Sequence, residues 1–284
     1  GRPASGKGGA VVERGFVRLA SWLGMLALAG LSAQSALADT PLCELELGPE
    51  RAVVRVLDGE TLALDDGSQV RLIGALAPRA LDAGADEGAW PLAETAKSAL
   101  EMLSLGHSVE LGFAGRRTDR YGRLLAQLFV RADGKRIWLQ GEMLRQGYAR
   151  AYALPGSTDC LEDLVAAEKQ AREARLGLWA HASYQIRPAD RHWELLRFRS
   201  TYQLVEGDVL AAADVRGRVY LNFGNNWRED FTVVVQPSNR QQFAKAGMDL
   251  LALKGRRVLV RGWIERRGGP LIEIYHPAQL EILP

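Results

Sequence analysis

The chain has 284 residues, 47% of them apolar and 25% charged, ordinary values for a soluble globular protein with enough apolar material for one large or two modest domains. The formal net charge is +2, but it is unevenly divided: 19 basic face 24 acidic side chains over residues 39–194, and 13 face 9 over residues 195–284. An acidic middle section argues against a general nucleic-acid coat, which carries a basic footprint, while leaving room for a small basic cleft on an acidic body.

Residues 1–38 read as a secretory signal. Arg2, Lys7, Arg14 and Arg18 make a positive start, residues 19–31 are apolar apart from Ser21, and Ala36-Leu37-Ala38 offers the small residues of a cleavage site before Asp39. The apolar run is shorter than the roughly 20 residues that span a bilayer, so the expected product is exported, periplasmic or secreted, with no stable membrane span after cleavage. Two cysteines in an exported chain, Cys43 and Cys160, are expected to form a disulfide that ties the start of the mature chain to the loop before a long helix.

From there the elements follow in order. Strands are expected at 53–57, 61–64 and 69–73, with Asp65-Asp66-Gly67 as a hairpin turn. Residues 78–90 read as a loop, and Pro91 opens a helix that runs to about Leu105 and stops at Gly106. Two more strands, 108–113 and 124–131, precede a short helix at 137–146 and a long one at 161–176, each closed by a glycine. Three strands, a helix and two strands make the oligonucleotide-binding (OB) arrangement, a five-stranded barrel. Residues 181–194 are polar and aperiodic and are expected to be a linker between a domain at 39–180 and one at 195–284. The tail repeats a similar order, with strands at 202–211, 218–223, 231–235, 257–263 and 271–274 and a helix from Ser238 to about Leu253. The fold class is therefore mainly β with α: an OB barrel with helices, followed by a second, smaller OB-like barrel.

Three separated segments carry a resemblance. They are Asp58-Gly59-Glu60-Thr61 with Arg71-Leu72-Ile73, then Thr118-Asp119-Arg120-Tyr121-Gly122-Arg123, then Gly147-Tyr148-Ala149 with Gly177-Leu178-Trp179. In order and spacing they resemble the staphylococcal nuclease (thermonuclease) family over about residues 50–180. The resemblance implies the OB barrel already read from the pattern, and calcium-dependent hydrolysis of DNA and RNA phosphodiesters. Negative charge builds on phosphoryl oxygens as water attacks phosphorus, and a planar guanidinium fork can meet two such oxygens at once. By resemblance Arg71 and Arg123 are the catalytic phosphate clamps, Glu60 stands where the family has its first calcium ligand, and Tyr121 and Tyr152 fall near the nucleotide-facing rings. Arg117 and Arg120, with Arg116, add positive charge for a single strand of DNA or RNA.

The sequence departs from the family at two acidic positions. Leu76 stands where the second ligand aspartate is expected, and Arg79 where the general-base glutamate is expected. A calcium ion prefers about six to eight oxygens, so Glu60 with carbonyls and water implies a weak Ca²⁺ site unless Asp82, Asp86 or Glu87 contributes. Two readings follow: a metal-dependent nuclease with a degenerate carboxylate site, and a non-catalytic nuclease-fold protein that binds nucleic acid or another anionic or protein ligand in the cell envelope. Asp58 is expected to fix its turn and Asp119 to orient groups near Arg123. In the tail, Phe223, Trp227, Phe231, Arg228, Arg257 and Arg261 suggest an aromatic and basic face, set against packing in a small core, where Trp263 and Tyr275 are also expected.

Overall fold

The computed structural model describes residues 41, 43–78 and 92–284. The signal segment at 1–38, Arg79, Asp82, Asp86, Glu87 and Pro91 lie outside the described residues. Strands β1 (Glu46–Asp58), β2 (Thr61–Leu64) and β3 (Gln69–Leu72) form a meander, followed by β4 (Ala75–Leu76) and helix α1 (Ala93–Ser104). Then come β5 (Ser108–Phe113), β6 (Leu124–Ala132), β7 (Lys135–Trp138), α2 (Leu139–Arg145), β8 (Arg150–Ala151) and α3 (Leu161–Glu173). The sheet order is β3-β2-β1-β5-β6-β7, and β3 also runs parallel to β6 with Arg71 opposite Leu125, which closes the barrel. With β1 antiparallel to β5 and α1 between the third and fourth barrel strands, this is the OB pairing. The expected helix at 137–146 starts late: Ile137 and Trp138 pair with Val130 and Phe129 as part of β7, and the helix begins at Leu139.

The rest of the chain holds β9 (Arg187–Pro188), α4 (His192–Leu195), β10 (Tyr202–Asp208), β11 (Ala211–Val215), β12 (Arg218–Asn222) and β13 (Thr232–Val235). It ends with α5 (Arg240–Lys245), β14 (Arg257–Trp263), β15 (Glu265–Arg267), β16 (Gly269–Glu273) and β17 (Leu280–Ile282). The pairings repeat those of the first barrel: β11-β12-β13 antiparallel, β13 parallel to β16, β15 antiparallel to β16, and β10 antiparallel to β14, with α5 between β13 and β14. The strand expected at 202–211 divides into β10 and β11. The helix expected to reach Leu253 ends after Lys245, because Gly247 takes a left-handed φ of 72°. Residues 181–194 contain β9, which pairs in parallel with β10, and α4.

Each barrel has its own apolar core, and a third cluster joins them. Leu76, Ala171, Leu178 and Trp179 from the first barrel meet Tyr184, Tyr202, Leu204 and Leu259. Through this seam runs a buried polar chain. Glu168 accepts hydrogen bonds from the Ala151 backbone N–H (2.7 Å) and Arg261 (2.8 Å), and pairs with Arg172 at 3.1 Å. Arg172 also pairs with Glu281 at 2.7 Å, and Tyr202 donates its hydroxyl to the Ala151 carbonyl at 3.0 Å. A disulfide links Cys43 to Cys160 across a sequence separation of 117, at the start of α3.

Candidate functional site

The turn between β1 and β2 sets the first cluster. Asp58 accepts from the backbone N–H of Glu60 at 2.9 Å, so it fixes the turn as its sequence context suggests. Gly59 is needed for close approach: a Cβ there would lie 2.7 Å from that of Ala77 and 2.9 Å from that of Ala96. The turn directs Glu60 inward, where its side chain is 0% exposed. One carboxylate oxygen pairs with an Arg71 guanidinium nitrogen at 3.1 Å, and the other accepts from the Ala77 backbone N–H at 3.0 Å. Arg71 comes from β3, and its guanidinium lies 5.9 Å from the ring centre of Tyr152.

The second cluster is the turn before β6. The Asp119 carboxylate accepts from the backbone N–H groups of Tyr121 (2.8 Å) and Arg123 (3.0 Å) and from the Arg123 side chain (2.7 Å). Burial works to raise the Asp119 pKa, but these bonds and the Arg123 charge outweigh it and hold the carboxyl below its ordinary value. Asp119 therefore orients Arg123, as its position suggests. The ring of Tyr121 is 68% exposed, with the guanidiniums of Arg120 and Arg123 at 4.7 and 5.6 Å from its centre. The parallel register of β3 and β6 brings Arg71 opposite Leu125, two residues beyond Arg123, which closes the turn just before β6. Arg117 points elsewhere: it pairs with Glu46 and lies 4.6 Å from the Phe113 ring centre. Arg116 is exposed, and its backbone N–H donates to the Gly156 carbonyl and the Ser157 hydroxyl.

The described residues do not make a calcium site of the implied kind. Both Glu60 oxygens are already engaged by protein groups. Leu76 is 3% exposed and packs into the seam with the second barrel. Among the described residues no group of three or more His, Cys, Asp or Glu side chains is placed to hold a metal ion. Tyr152 is drawn into the same seam, edge-on to Tyr202 at 5.2 Å and to Trp263 at 6.2 Å. The polar seam of Glu168 and Arg261, to which Arg150 adds a hydrogen bond to the Tyr202 carbonyl, carries no motif in the sequence. Its signal in the sequence was charged residues at positions otherwise apolar in periodicity.

The aromatic and basic face expected in the tail is differently composed. Phe223 and Phe231 are core residues, 4.9 Å apart between ring centres, because their alternation places them on the inner side of the barrel. Arg261 is buried against Glu168, and Arg257 is paired with Glu206 and Asp208. Trp227 and Arg228 stay at the surface. Trp263, expected in the core, is 39% exposed beside Tyr152, whereas Tyr275 is partly buried and donates its hydroxyl to the Ala153 carbonyl.

A family model described as staphylococcal nuclease homologue matches residues 69–181. An uncharacterized endonuclease of Escherichia coli is 32% identical over 133 residues, which are 46% of this chain and 76% of that protein. A micrococcal nuclease of Shigella flexneri is 31% identical over 140 residues, 47% of this chain and 75% of that protein. Endonuclease YncB of Bacillus subtilis is 33% identical over 96 residues, 33% of this chain and 44% of that protein. The chain spans less than half the length of the Bacillus subtilis relatives it matches.

Proposed function

The chain belongs to the staphylococcal nuclease family, and from that premise we propose that it binds single-stranded DNA or RNA by gripping the phosphodiester backbone with Arg71 and Arg123. The observation that carries this reading is that Arg71 lies on β3 and Arg123 in the turn that leads into β6, the strand paired with β3, each held by its own carboxylate, Glu60 and Asp119. A guanidinium has five N–H donors, so one held by a carboxylate on one edge still presents others to a phosphate. Exposed Tyr121 beside Arg123 offers a ring for a base. In this reading Glu60 positions Arg71 and does not serve as a metal ligand. Export to an oxidising compartment is part of the proposal, supported by the disulfide.

Hydrolysis is the second reading, favoured by relatives whose names are endonuclease and micrococcal nuclease. One experiment separates the two. Binding and cleavage of end-labelled single-stranded DNA and RNA are followed with Ca²⁺, Mg²⁺, Mn²⁺ or chelator, for the wild type and for Arg71→Ala/Arg123→Ala. Binding that survives the chelator and is lost in the double variant supports the proposal. Metal-dependent cleavage lost in the double variant establishes the second reading, and no binding by folded wild-type protein refutes the first.

A further inference from the structure

The second barrel carries an outward groove of about 570 Å³ floored by β11, β12, β13 and β16. Alternation along the strands makes it. Val219, Leu221, Val233 and Val235 turn into the core, and the residues between them turn out. Arg218 lies along the floor, donating from Nε to the Gln236 side-chain carbonyl at 2.9 Å and from Nη1 to the Tyr220 hydroxyl at 3.2 Å. Both hydrogen-bond partners are neutral and aim the guanidinium, while Glu273, which accepts from the Gln236 amide at 2.8 Å, is a nearby opposite charge. Trp227 stands at the rim with its side chain 63% exposed and the Arg228 guanidinium 4.9 Å from its ring centre. Arg267, at the end of β15, lines the groove as well, with Glu265 at 3.4 Å and Glu273 at 4.0 Å from its guanidinium, and Asp230 is also among the lining residues.

We propose that this groove is a second nucleic-acid site, in which Trp227 stacks a base of a single strand while Arg218 and Arg267 meet its phosphates. In an OB barrel the face of strands two and three, with the loops joining strands one to two and four to five, is the surface that takes oligonucleotides and oligosaccharides. Here β12 and β13 are strands two and three, Arg218 follows the first of those loops, and Arg267 precedes the second. An exposed indole flanked by arginines is the stacking-plus-charge pattern of single-strand binding. The tail's excess of basic side chains, 13 against 9, favours a polyanion over a neutral glycan. The inference rests on the reading that the chain's ligand is nucleic acid, but it uses none of the residues of the first barrel's site.

The test is fluorescence anisotropy of end-labelled oligo(dT) with the full chain at one fixed low salt concentration. Wild type is compared with Trp227→Ala/Arg218→Gln, Trp227→Phe and Arg71→Ala/Arg123→Ala, each checked for an unchanged thermal melt. Loss of one stacked base predicts at least about five-fold weaker binding for Trp227→Ala/Arg218→Gln, with most affinity kept by Trp227→Phe. Wild-type affinity in a folded Trp227→Ala/Arg218→Gln protein overturns the groove, and if Arg71→Ala/Arg123→Ala has lost binding, the first-barrel reading stands without it. The opposite pattern supports the groove and counts against the first barrel. Wild-type oligo(dT) affinity in the groove variants, together with quenching of wild-type but not Trp227→Phe fluorescence by a neutral oligosaccharide, makes it a glycan site and also overturns the proposal.

Discussion

Leu76→Asp, which installs the carboxylate that the family resemblance leads one to expect, should damage the protein without creating a cation site. Leu76 is 3% exposed and packs against Leu178, Trp179 and Tyr202 in the seam between the barrels. Removing a buried leucine forfeits about 1.5–3 kcal/mol of apolar burial. A carboxylate in its place adds a desolvation cost of several kcal/mol, or is protonated to avoid it. A total of about 4–6 kcal/mol is a large part of the 5–15 kcal/mol that holds a typical domain together. Urea denaturation followed by tryptophan fluorescence, with and without Ca²⁺, gives the measurement. The midpoint should fall steeply and Ca²⁺ should not restore it, whereas Leu76→Met should stay close to wild type. A wild-type midpoint, or one raised by added Ca²⁺, would show that position 76 faces the site and would refute the argument.

Three further outcomes follow from the geometry. Reducing the disulfide, or replacing both Cys43 and Cys160 with Ser, reopens a loop spanning a separation of 117 and should cost about 5 kcal/mol in the chain-entropy model, read as a lower denaturation midpoint. Arg261→Leu leaves Glu168 buried with Arg172 and the Ala151 N–H as its remaining partners, so a loss near about 3 kcal/mol is expected, partly recovered in Arg261→Leu/Glu168→Leu. Burial works to raise the Glu281 pKa, but the hydrogen bonds and charges of Arg172 and Lys169 outweigh it and leave the folded value below the ordinary 4.5. Its stabilising contribution is therefore full above about pH 4.5 and fades as pH falls through the depressed value, and Glu281→Gln should flatten that acid limb of the stability profile.

Local signals carried most of the first barrel. Asp65-Asp66-Gly67 and the alternation of 108–113 and 124–131 answer to nearest-neighbour physics and the strands form there, whereas the first strand, expected at 53–57, begins at Glu46, and the long helix ends at Glu173, before Gly177, with Arg175 at a left-handed φ of 52°. The boundary of α2 was less visible, since Ile137 and Trp138 are as acceptable in a helix as in a strand until Phe129 and Val130 are there to pair with them. The composition of the tail's outer face was hidden for the same reason. Phe223 and Phe231 look like stacking rings in sequence, and their inward orientation depends on the register β12 and β13 adopt with each other. The pairing of Glu168 with Arg261 joins residues 93 positions apart, and only the docking of two barrels brings them into contact.

That docking also bears on the residue at position 76. The short pair β4 and β8, with Leu76 opposite Arg150, is shared by the site and the seam. On one side Tyr152 follows β8 and faces Arg71; on the other Arg150 donates to the Tyr202 carbonyl at 2.5 Å, and Tyr202 donates back to Ala151. With a second barrel seated there, an aspartate at position 76 would be a buried charge with an apolar surround, and a leucine is what the seam can accommodate. Arg71, on β3, borders the seam at the Tyr152 ring, and Arg123 lies before β6. The second barrel thus covers position 76, where the family resemblance implies a ligand carboxylate, while Arg71 stays paired with Glu60 and Arg123 with Asp119.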